Sequence, residues 1–92
     1  MAAEERDVER IVHEEPAYPS LDDAQKWLTL YTQLLEFTEA TLDRTYQFLE
    51  TVAEPARRHL QRNNVAIMEE EIRTFRERRE HWQRIAQELR GQ

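Results

Sequence analysis

Residues 21–52 read LDDAQKWLTLYTQLLEFTEATLDRTYQFLETV, and their periodicity decides the fold. Leu21, Ala24, Leu28, Tyr31, Leu35, Thr38, Leu42, Thr45, Leu49 and Val52 follow one another in alternating steps of three and four. That spacing keeps one seam of an α-helix turned toward a neighbouring helix. A second seam runs beside it: Trp27, Leu30, Leu34, Phe37, Thr41 and Phe48, with Arg44 in the missing place. It lies one residue earlier in the heptad, hence about 100° round the helix. A helix with one packing partner needs one stripe. Two stripes call for two neighbours, because an aromatic stripe left in water is an unusually large apolar patch. The rival reading, aromatics lining a cofactor pocket, gives way to the commoner role of such residues as core.

Outward from this stretch, Ser20 is placed to cap the long helix and Asp23 to complete a capping box. The helix is expected over about 20–53, a rod of roughly 48 Å. Pro55 cannot sit in a helix interior, and Asn63-Asn64 is a second break signal. The apolar phase also slips here. Val52, Ala56 and Leu60 would continue to positions 63, 64 and 67, but the next stripe starts at Val65. A reversal is therefore expected within 51–64, with a short helix over 56–62. A second helix over about 65–90 carries the seam Val65, Met68, Ile72, Phe75, Arg79, Trp82, Ala86, Leu89 and ends at Gly91. Its other faces are charged. Arg79 interrupts the seam. A fold-back near residue 58 would bring it to Glu36 or Glu39 as a register-setting ion pair.

The N-terminal residues 1–19 form an acidic arm. Val8, Ile11 and Val12 stand at helical spacing ahead of Pro16 and Pro19. Two readings stay open. The arm is a frayed tail, or it docks Val8, Ile11, Val12 and Tyr18 onto a hydrophobic groove.

Composition narrows the function. Ninety-two residues suit one small domain, residues 20–92 here, and so short a chain gains from self-association. Without cysteine there is no disulfide and no thiolate metal site. Residues 1–50 hold 12 acidic and 4 basic side chains, and residues 51–92 hold 7 and 9. The acidic half and the mildly basic half should attract when folded together. Arg57, Arg58, His59 and Arg62 form a local positive cluster, and Arg73, Arg76, Arg78 and Arg79 add to it. Interleaved glutamates and a net charge of −6 argue against a nucleic-acid face. The positions three before His13, His59 and His81 are Arg10, Ala56 and Arg78, so the Glu-x-x-His of di-iron bundles is missing. No zinc-ligand spacing, phosphate loop or catalytic nucleophile is present.

The expectation is an all-α chain, a long antiparallel helical hairpin that forms a four-helix bundle as a homodimer. Its expected role is a non-enzymatic protein–protein interaction module: a scaffold, adaptor or small regulatory subunit. It would self-associate through Trp27, Leu30, Leu34, Phe37, Thr41 and Phe48, or bind another helical protein. No cofactor, metal or membrane partner is expected, and the acidic N-terminus, where a signal peptide would be apolar, suits the cytoplasm. The competing classes are a metal-binding helical bundle and an Arg-mediated nucleic-acid-binding regulator.

Overall fold

The computed structural model describes residues 7–92, and they are all helix, turn and link. Helix α1 spans Asp7–His13, α2 spans Leu21–Leu49, α3 spans Glu54–Leu60 and α4 spans Ala66–Arg90. A π-helical turn, Gln61–Val65, joins α3 to α4. The expected arm thus contains a helix, while its first six residues lie outside those described.

The capping box at the start of α2 is formed. The Asp23 amide donates to Ser20 Oγ at 3.0 Å, and the Ser20 amide donates to Asp23 Oδ2 at 3.1 Å. The helix stops at Leu49, earlier than residue 53. The reason lies ahead of it. The ring of Pro55 would clash with the carbonyl four residues back, so no α-helix can run through 51–55. The chain turns over residues 50–53 and restarts with Ala53 as N-cap and Pro55 in the first turn. Arg57 then reaches back across the turn. Its Nε donates to Leu49 O at 3.1 Å, which also accepts from the Val52 amide at 3.3 Å, and its Nη2 donates to Val52 O at 3.0 Å, tying the turn to α3.

The π turn accounts for the phase slip. Leu60 and Val65 both belong to the packed face, but they are five residues apart. One extra residue in the turn absorbs that step, which an uninterrupted α-helix could not. Asn63 steadies the turn by donating from Nδ2 to the His59 carbonyl at 2.8 Å. The second leg of the hairpin is therefore one rod from Glu54 to Arg90 with a single bulge. At its far end Gly91 has φ −75°, so α4 ends without the left-handed cap expected of its only glycine.

Helices α2 and α4 pack antiparallel through their seams. Ala24, Tyr31, Leu35 and Thr38 of α2 meet Ile72, Phe75, Trp82 and Ala86 of α4 as the buried centre. Stacked rings of Trp27 and Trp82, 6.1 Å between centroids, and the tilted pair Tyr31–Phe75, also 6.1 Å, fix the register. Threonine in an apolar seam costs little here. Thr38 returns its hydroxyl to Leu34 O at 2.8 Å, and Thr45 to Thr41 O at 2.8 Å. The radius of gyration is 16.5 Å. A compact domain of this length would have about 12 Å. The molecule is a rod, and much of α2 has no second neighbour.

Candidate functional site

A polar node at Glu15 ties the arm to the hairpin. Glu15, at the end of the link after α1, has its side chain 9% exposed. Its Oε2 accepts from the Tyr31 hydroxyl at 2.5 Å and from Arg78 Nε at 3.0 Å, and Oε1 accepts from Arg78 Nη2. Burial alone would raise the carboxyl pKa. The Arg78 guanidinium and the Tyr31 hydroxyl outweigh it and hold the group below its usual 4.5. Burial and the adjoining carboxylate push the Tyr31 phenol well up, so it stays a donor. The indole Nε1 of Trp82 is buried beside this node without reaching hydrogen-bond geometry. Apolar contacts complete the docking. Val8 and Ile11 join the core, and Val12 and His13 flank a groove against Glu70, Glu71 and Thr74 of α4. Tyr18 does not dock and is 95% exposed.

The second seam of α2 divides. Trp27 turns inward onto Trp82, and Leu34 packs against the core. Leu30 and Thr41 are half-buried, and Thr41 donates to Phe37 O at 2.9 Å. Phe37 and Phe48 point outward, 67% and 58% exposed. Between them Arg44 folds back along the stripe, its Nη2 donating to Thr41 Oγ1 at 3.3 Å. The arm lies along the α4 flank and leaves both phenyl rings uncovered.

The register pair differs from expectation. Glu39 pairs with Arg76 at 2.8 Å, not with Arg79. Glu36 is exposed with no ion pair among the described residues, and Arg79 Nε is buried without a hydrogen-bond partner. The Glu39–Arg76 and Tyr46–Glu69 contacts keep this part of the hairpin close to the register of a reversal at 58, so the face decides: Arg79 lies in the seam with its Nε buried. Arg76, on the flank, is the arginine that reaches Glu39.

Two features escaped sequence reasoning. Glu15 and Arg78 are 63 residues apart, and nothing periodic links them. The only signal was an acid just before Pro16 at the end of an amphipathic segment. The second is a groove on the flank of the hairpin away from the arm. Leu42 and Ile72 line it, the Arg76–Glu39 pair flanks it, and so does the Tyr46 hydroxyl, which donates to Glu69 at 2.5 Å.

Several arginines of the basic half are already engaged. Arg57 and Arg58 bond Glu54, Arg73 bonds Glu70, Arg76 bonds Glu39 and Arg78 bonds Glu15. Among the described residues no group of three His, Asp or Glu side chains is placed to hold a metal ion, and no helix is long and apolar enough to cross a membrane. Comparison with protein-family models, with curated proteins and with solved structures finds no match to this chain.

Proposed function

We propose that this chain is a non-enzymatic helical interaction module, a scaffold, adaptor or small regulatory subunit of the cytoplasm. It acts as a homodimer whose core is a four-helix bundle with α2 inside. The observation that supports this is the pair Phe37 and Phe48, exposed on one stripe of an elongated hairpin. A phenylalanine presents roughly 200 Å². At the exposures found, the two rings of two copies offer about 500 Å² of apolar surface. Burial at about 25 cal/mol per Å² gives roughly 12 kcal/mol, inside the range of about 4–15 kcal/mol that association costs. The rings thus offset the cost, and the half-buried Leu30 and Leu34 set the margin.

Sedimentation equilibrium over a range of protein concentrations tests the reading. The expected mass approaches twice the 11.2 kDa of the chain, and Phe37→Ser with Phe48→Ser returns it to one chain with helix content retained. A single-chain mass for the unmodified protein at high concentration would refute it.

A further inference from the structure

The spacing of the exposed stripe selects one of the ways two copies can meet. We propose that the dimer is antiparallel, about a twofold axis crossing α2 level with Leu42 and Asp43, so that Phe37 of each copy packs on Phe48 of the other. This rests on the self-association proposed above. A twofold interface uses the same patch on both copies, so the patch must complement itself. Phe37, Thr41, Arg44 and Phe48 do so about that axis. Phe37 and Phe48 are equidistant from it, and so are Thr41 and Arg44. The two most exposed rings of the stripe then meet. Each long Arg44 side chain lies over the partner's small Thr41.

The parallel alternative fails on charge. It stacks Arg44 on Arg44 in the middle of an apolar face, where like charges are costly. Arg44 has no acid on the stripe to neutralise it, and it donates to the Thr41 hydroxyl instead. A second antiparallel register, shifted to bring Leu30 onto Phe48, sets Arg44 on Leu34 and leaves Phe37 facing Thr41. It buries a charge on an apolar side chain and separates the rings. In the proposed register Leu34 comes level with the turn that ends the partner's α2, and Leu30 lies beyond it.

A distance measurement separates these arrangements. The chain has no cysteine, and Lys26 is exposed and among the described residues pairs with Asp22 one turn away. Lys26→Cys therefore takes a spin label without touching the core. In the proposed dimer the two labels are 33 residues apart along the axis, about 50 Å at the helical rise. The shifted antiparallel register gives about 40 Å. A parallel pair gives about 10–20 Å, set by the spacing of packed helices and the label arms. A double electron–electron resonance peak near the longest distance supports the proposal. A peak near either shorter one, in a sample of dimer mass, overturns the arrangement and leaves self-association standing. A single-chain mass overturns both.

Discussion

Replacing Arg78 with Met should release the arm while leaving the hairpin folded. Met keeps much of the aliphatic stem and removes the guanidinium, so the Glu15 carboxylate loses two of its three hydrogen bonds. Bonds to a charged group are worth about 1.5–3 kcal/mol each, which makes roughly 3–6 kcal/mol if Glu15 stays where it is. The chain has a cheaper response. If the arm lifts away, Glu15 returns to water and the loss is the Tyr31 bond with the burial of Val8 and part of Ile11. That is about 4–7 kcal/mol at most, offset by the backbone entropy regained over the 7 residues of α1 at about 1 kcal/mol each. A seven-residue helix has no stability of its own, so lifting off means unfolding α1. The smaller cost wins. Amide hydrogen exchange read by mass spectrometry checks this. Amides of residues 8–15 should lose their protection, while those of residues 28–42 and 72–86 keep theirs. Glu15→Gln in the Arg78→Met background should add little further loss, because the two changes break one interaction. Residues 8–15 that stay protected while the hairpin itself melts at a lower temperature would refute the release of the arm.

Acid should act on the same node. Glu15 has its pKa lowered in the fold, so its stabilisation is in place above 4.5 and is lost as the pH falls through the folded value. Burial and then Arg78 lower the His81 pKa below 6.5, so protonating it below that pH also works against the fold. Arm protection followed against pH should decline steeply below 4.5, and Glu15→Gln should remove that decline; equal slopes in both proteins would contradict the assignment. The π turn supplies a third prediction. Deleting Asn64 leaves a continuous α-helix and rotates only α3, which has no fully buried side chain, at the cost of part of the cover of Leu60 and of the two Arg57 bonds across the turn, which fall well below the roughly 3–6 kcal/mol of two buried bonds to a charged group because the Arg57 side chain is 39% exposed. Deleting Glu77 instead turns Val65, Ile72 and Phe75 about 100° out of line with Trp82, and should cost more than 5 kcal/mol. Urea denaturation of the two deletions should differ widely, and equal losses would show that the turn is no mere one-residue insertion.

Much of this fold could be read in the residues because it is periodic. The seams of Leu21–Val52 and Val65–Leu89 repeat every seven residues, and repetition at that spacing has one economical solution, a helix against a helix. The Ser20 cap and the Pro55 break are local chemistry, decided within a few residues. Even the π turn left a trace, as the slip between Leu60 and Val65. The two apolar stripes of α2 were visible for the same reason, and the exposed Phe37 and Phe48 belong to the stripe expected to lack an intrachain partner.

What the periodicity could not decide was anything joining residues far apart with no repeat between them. Glu15 finds Tyr31 and Arg78 only once the turn has set the register and the Pro16–Pro19 link has laid the arm along α4. Glu39 takes Arg76 over Arg79 because Arg79 lies in the seam with its Nε buried, while Arg76 stands on the exposed flank that Glu39 faces. Trp27 leaves its stripe to stack on Trp82, since a large ring at the border of two faces packs on whichever neighbour comes first. The sequence by itself determined which faces of the helices are apolar. Only the tertiary structure decided which of those faces were used up, because burial depends on the register of two helices, and a single turn at residues 50–53 sets that register.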